Sequence, residues 1–131
     1  MCICYENPKV RDHILESGFG LEKESLRVNK EGFLSHTKHP FPQDKNIERD
    51  FCENQVEIIT NVCSSPEELY LELLKLQKQV LNKLWNMETG REYLWQFSNP
   101  PYVKGEEDIL IATYEGELKE KEVYRKYLAQ K

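Results

Sequence analysis

The 131-residue chain contains no apolar run approaching the ~18 residues needed to cross a bilayer. Its opening stretch, Met1-Cys-Ile-Cys-Tyr-Glu-Asn-Pro8, has neither a basic n-region nor an apolar h-region, so no secretory leader is expected. These absences predict a soluble, cytoplasmic protein with no membrane partner. A basic stripe is missing too. Eighteen Lys and Arg are outnumbered by 23 Asp and Glu, for a net charge of −5, and they are interleaved with Glu. Nucleic acid is therefore not an expected partner. Four cysteines (Cys2, Cys4, Cys52 and Cys63) fit no zinc template, because Cys2-x-Cys4 lacks the usual spacer and no second Cys or His pair is suitably placed. Four free thiols are expected. His36 and His39 flank a proline-bearing loop where helical pairing is unavailable; these two and His13 are expected to be solvated.

What is present suits a folded chain. Two Trp, seven Tyr and five Phe supply core volume, although the charged fraction of 31% exceeds the usual quarter or so. At roughly 150 residues per domain, one domain at most is predicted, and it is short of apolar surface. Residues 8–17 suit a short helix with Val10, Ile14 and Leu15 at helical spacing. Gly18-Phe-Gly20 ends it and launches an extended run over 21–28. Asn29-Lys-Glu-Gly32 reads as a turn and Phe33-Leu-Ser35 as the returning strand of a hairpin. A polar loop over 36–48 precedes a second extended segment over 50–62. There Glu53, Gln55 and Glu57 alternate with Val56 and Ile58, marking one polar and one packed face.

Ser65-Pro-Glu-Glu68 combines an N-cap, a proline at the first helical position and a capping box. It opens a helix whose apolar stripe is Leu69, Leu73, Leu76, Val80 and Leu84, expected to cover the sheet. Residues 91–103 read as a loop held down by burial of Trp95 and Phe97. A last helix from about 117 to 131 carries Leu118, Tyr124 and Leu128 and stops without a C-cap glycine, which predicts an incomplete domain.

Glu22 and Glu24 lie two apart on the first strand and leave the same face. Glu57 lies on the polar face of the second. If these strands are neighbours, three or more carboxylates converge, and two of them about 4 Å apart repel by roughly 4 kcal/mol at an effective dielectric near 20. Such a cluster needs cations or protons. Oxygen-only donors favour Mg²⁺ or Mn²⁺ over zinc, and Mg²⁺ held by a few carboxylates bridges to phosphates, which makes a nucleotide plausible. Ordinary solvent-facing charge is the competing reading. Asp50 and Glu57 are seven apart, so either Asp50 precedes the strand proper or a bulge intervenes. The apolar parity shift from Phe19 and Leu21 to Leu26 and Val28 allows a bulge near the glutamates too.

Phe19-Gly-Leu-Glu-Lys-Glu-Ser-Leu-Arg-Val28 followed by Gly32 resembles the opening signature of bacterial glutamate–cysteine ligases, a region shared with bifunctional glutathione synthases. His39-Pro40, Asp50-Phe51, Gln55-Val-Glu57-Ile-Ile-Thr60, Tyr93-Leu-Trp95, Ser98-x-Pro100-Pro101 and Tyr124-Arg125 with Leu128 follow in order. The resemblance covers about residues 10–131.

It implies an α+β chain with part of a glutamine-synthetase-like fold, a curved antiparallel sheet covered by helices. Residues 1–131 would be the N-terminal segment of a single, incomplete catalytic domain. The implied reaction joins L-cysteine to the γ-carboxyl of L-glutamate, using ATP and Mg²⁺ (or Mn²⁺) through γ-glutamyl phosphate, in glutathione biosynthesis. Glu22, Glu24, Asp50 and Glu57 would be metal-site carboxylates; Phe51, Tyr124, Arg125 and Leu128 would line or border the amino-acid pocket. Arg125 could pair bidentately with a substrate carboxylate. The family's chains run to several hundred residues, and the downstream histidine, glutamate and arginines of the site are not in this sequence, so the chain alone is expected to be inactive. The alternative from another class is a non-catalytic remnant or binding module, self-associating or pairing with a partner through exposed sheet edges.

Overall fold

A computed structural model describes residue 4, residues 6–14 and residues 16–130. Helix α1 (Pro8–His13) is capped by the Asn7 side chain, and strand β1 (Glu22–Val28) follows. Then come β2 (Ile47–Glu48), β3 (Gln55–Ile59), the long helix α2 (Pro66–Trp85), β4 (Tyr93–Trp95) and, after two short 3₁₀ turns, α3 (Lys119–Ala129). The four strands form one antiparallel sheet in the order β2-β3-β1-β4. The architecture is α+β. Among the described residues no helix is long and apolar enough to cross a membrane.

Alternation in β3 sends Val56 and Ile58 to one face, where they are 1% exposed. Ile47 joins them from β2, and Leu76, Val80 and Leu84 of α2 close over all three. Each such side chain contributes about 1.5–3 kcal/mol on full burial. The α2 N-terminus forms as its sequence dictates: Ser65 Oγ accepts the Glu68 N–H at 3.1 Å. The Glu68 carboxylate reaches back to Ser64 N–H at 2.7 Å rather than to the cap residue itself, a capping box displaced by one residue.

Several expectations are corrected. The turn at 29–32 forms, with Gly32 at φ +84°, a backbone region that only glycine enters freely. Its return leg, however, is a single bridge, Val28↔Leu34, and β1 pairs instead with β3 and β4. No bulge interrupts β1 and β3: their register runs unbroken from Glu22↔Ile59 to Leu26↔Gln55. The apparent parity shift has another cause. The covered face of β1 consists of Lys23, Ser25 and Arg27, polar residues that satisfy one another or distant partners. The 36–48 segment ends in β2, and the 91–103 segment contains β4, beyond which Phe97 is 69% exposed rather than buried. Cys4, Cys52 and Cys63 are free thiols as expected; Cys2, and Leu15 of the first helix's stripe, lie outside the described residues. His13 and His36 are exposed as expected, but His39 is 4% exposed. It is drawn in because the Glu53 carboxylate accepts its backbone N–H at 3.0 Å.

Candidate active site

The open face of the sheet gathers the acidic residues. Glu24 of β1 sits directly opposite Glu57 of β3, and Glu57 sits opposite Glu48 of β2. Glu22, two residues from Glu24, shares their face. Like charges directly opposite across strands destabilise a sheet. The strain is visible at Glu57, whose carboxyl is raised above its ordinary value by partial burial and by the charges of Asp50, Glu22, Glu24 and Glu48. None of Glu22, Glu24, Glu48 and Glu57 has an ion-pair partner among the described residues.

Asp50 precedes β3, in the turn after β2, which settles how it faces Glu57 without a bulge. Its carboxylate forms a short ion pair with the Arg125 guanidinium, reaching across from α3. Phe51 is half-buried beside it, its carbonyl accepting the Ala112 N–H at 3.0 Å. Gln55 ties this turn to the carboxylate row. Its Oε1 accepts the N–H groups of Phe51 and Cys52 at 3.1 and 3.3 Å, and its Nε2 donates to Glu24 Oε2 at 2.8 Å. The structure thus brings Asp50, Phe51 and Arg125 together next to Glu22, Glu24 and Glu57. Tyr124 and Leu128 share α3 with Arg125 but are 62% and 42% exposed.

Glu53, expected beside Glu57, belongs elsewhere. It precedes β3, and its carboxylate accepts N–H groups from His39 and Thr113, both at 3.0 Å. Burial alone would raise it, but those bonds and the Arg49 charge hold it below the ordinary carboxylate range. Two residues were missed by sequence reasoning. Glu48 lies in a two-residue strand, and the clue was the pair Ile47-Glu48, whose apolar–polar order mirrors Ile58 and Glu57 across the register. Gln55 was noted as a face residue and as part of a family landmark, with no role of its own; its amide, able to accept and donate at once, suits the tie it makes.

The carboxylate row joins two clefts. One of about 470 Å³ opens beside Glu24, walled by Gln55, Gln96 and the edge-to-face rings of Trp95 and Phe97. Another of about 350 Å³ opens beside Glu48, against Arg49, Phe41 and the Tyr114 ring. Among the described residues no three acidic, histidine or cysteine side chains close on a single metal position. A cage of three is not required, since Mg²⁺ keeps several waters and binds through one or two carboxylates plus phosphate oxygens. Oxygen-only donors carrying uncompensated charge fit such an ion.

An antiparallel sheet with one helix-covered face and one carboxylate-lined face, flanked by clefts, defines an α+β protein. The glutamate–cysteine ligase family model matches residues 4–131, and the chain belongs to that family. It is 39% identical over 131 residues to the glutathione biosynthesis bifunctional protein of Clostridium perfringens, covering 96% of this chain and 16% of that one. The identity to the glutamate–cysteine ligase of Clostridium acetobutylicum is 38% over 121 residues, covering 87% and 24%. Among solved structures, a bifunctional glutathione synthetase from Pasteurella multocida superposes with a TM-score of 0.78 at 30% identity, over 96% of this chain and 16% of that one. A Francisella tularensis glutamate–cysteine ligase in complex with AMP gives 0.69 at 30% identity, over 85% and 23%. The chain spans between 16% and 24% of the length of these proteins.

Proposed function

We propose that this chain supplies the cation-binding part of an ATP-dependent glutamate–cysteine ligase, as one incomplete catalytic domain. The observation that carries the reading is the carboxylate row: Glu57 held in register between Glu24 and Glu48, with Glu22 and Asp50 adding their charge. The nucleotide is supported by the AMP named with the Francisella relative. In this reading the γ-carboxylate of L-glutamate takes the terminal phosphoryl of ATP, breaking its bond to the β-phosphate and releasing ADP. The amine of L-cysteine then attacks the acyl carbon and displaces phosphate, losing a proton as the γ-peptide bond forms.

Glu22, Glu24, Asp50 and Glu57 would hold Mg²⁺ or Mn²⁺, which supplies charge neutralisation for the triphosphate and a clamp on the transferred phosphoryl. Phe51, Tyr124 and Leu128 would border the amino-acid substrates. Arg125 is already committed to Asp50 and Tyr114, so its contact with a substrate carboxylate would share or exchange those bonds. The chain covers a minor part of its relatives' length, and α3 leaves Val123 and Tyr124 more than 60% exposed. Both facts favour completion of the site by further polypeptide.

The test is cation-linked stability. A ligand bound only by the folded state adds roughly 2.7 kcal/mol at a hundredfold excess over its dissociation constant. Mn²⁺ is expected to raise the melting temperature of the chain, and the double variant Glu22→Gln/Glu24→Gln to abolish the rise. An undiminished rise in that variant would sink the assignment.

A further inference from the structure

Tyr114 lies outside every motif singled out in the sequence, yet it is 5% exposed and contacts both halves of the candidate site. Its hydroxyl donates toward the carbonyl oxygens of Arg49 at 2.7 Å and Asp50 at 3.0 Å. The same oxygen accepts a short bond from the Arg125 guanidinium, whose other nitrogen pairs with the Asp50 carboxylate. The ring is flanked by the guanidinium carbons of Arg49 and Arg125, at 5.0 and 5.1 Å from its centroid, with the Lys121 ammonium at 6.0 Å. The Tyr114 N–H donates to Glu122 of α3 at 3.1 Å, and the same carboxylate takes the Lys119 ammonium at 2.7 Å.

One residue therefore grips α3 by its backbone, ring and hydroxyl, and grips the Asp50 turn by that same hydroxyl. We propose that Tyr114 is a positioning residue that sets α3 and the Asp50 turn together. The amino-acid side and the cation side of the site then move as one unit rather than independently. This rests on the site reading above. Geometry is what recommends it: a charged Arg–Asp pair fixes two groups at one point, whereas a hydroxyl shared among two carbonyls and a guanidinium fixes orientation as well. Asp50 adds to the charge at Glu57, so rotating its turn moves one charge of the carboxylate row.

Tyr114→Phe keeps the ring and its cation contacts and removes only the hydroxyl. Two readouts are compared with wild type: amide hydrogen exchange over residues 49–53 and 119–129, and Mn²⁺ affinity by water-proton relaxation. Faster exchange in both segments together, with Mn²⁺ binding weakened about fivefold or more, is the expected result. Should Tyr114→Phe fold poorly, Arg125→Lys keeps the charge and breaks the same shared geometry, and the same joint loss is expected. Faster exchange in α3 alone overturns the proposal, as does unchanged Mn²⁺ affinity with both segments loosened. Wild type that takes up no Mn²⁺ at all would instead remove the cation reading above. Exchange alone then decides the coupling, joint opening supporting it and separate opening ending it.

Discussion

On the covered face of the sheet a fully buried guanidinium, Arg27, meets one carboxylate, Glu92, at 2.7 Å. On the open face four carboxylates, Glu22, Glu24, Glu48 and Glu57, share three adjacent strands without an ion-pair partner among the described residues. The covered charge is closed on nearly every side. Glu92 also accepts from Ser35 Oγ at 2.5 Å and Thr37 Oγ1 at 2.6 Å, while Arg27 donates to the carbonyls of Thr37 and Glu53, both at 2.9 Å. Burial makes an unmatched charge very costly, so this face tolerates charge only when it is paired. The open face can keep like charges because water screens them. One sheet thus separates buried, paired charge from solvent-facing, unpaired charge.

Breaking the covered pair should give the largest effect. Glu92→Ala leaves the Arg27 guanidinium buried without its counter-charge and strips Ser35 and Thr37 of an acceptor. A loss of about 3–5 kcal/mol is expected on removing one partner of a buried ion pair. Urea unfolding of the two proteins checks it; a loss below 1 kcal/mol would show that the pair is solvated in solution.

Acid should probe the same face from another side. His39 is held down to about 4, by burial first and then by the charge of Arg27. Its unfolded value is near 6.5, so the folded state refuses a proton that the unfolded state accepts. Stability from this residue is whole above about pH 6.5, falls as the pH drops toward 4, and levels off below. Roughly 2 kcal/mol should disappear between pH 7 and pH 5. His39→Gln should flatten that window in unfolding experiments at the two pH values.

Where the sequence was legible, a period or a cap was at work. The alternation through Val56, Glu57 and Ile58 and the Ser65-Pro66 start of α2 each carry their own local physics, and Glu22, Glu24 and Glu57 fell on one face because strand geometry left no alternative. Strands β2 and β4 have two and three residues, too few to express a period, so Glu48 and the exposure of Phe97 went unread. The covered side of β1 misled for a different reason. Alternation assumes that polar means outside, whereas Arg27 is buried by a carboxylate 65 residues away. His39 and Glu53 failed likewise, through a contact that is long-range and polar. Local periodicity reports apolar burial; it is blind to a charge whose partner arrives from elsewhere.

The smallest stability change should come from the open face, and its sign is opposite to the first. Glu57 is raised above its ordinary value, by partial burial first and then by Asp50, Glu22, Glu24 and Glu48. A raised carboxyl folds best when protonated. Its deficit is absent below about pH 4.5 and grows as the pH rises through the folded value. Glu57→Gln removes the charge while keeping the shape, so at pH 7 without cation the variant should be more stable than wild type. Roughly 0.2–1 kcal/mol is expected, the scale of a cross-strand pair, with solvent screening favouring the lower end. The gain should fade as the pH approaches 4, and the variant should also lose most of the stabilisation by Mn²⁺. Thermal melts at pH 7 and pH 4, with and without Mn²⁺, check both. If Glu57→Gln is instead destabilised at pH 7, the open face is ordinary solvated charge and the contrast between the two faces fails. If it is stabilised and deaf to Mn²⁺, the repulsion is what the protein gives up in stability to hold a cation.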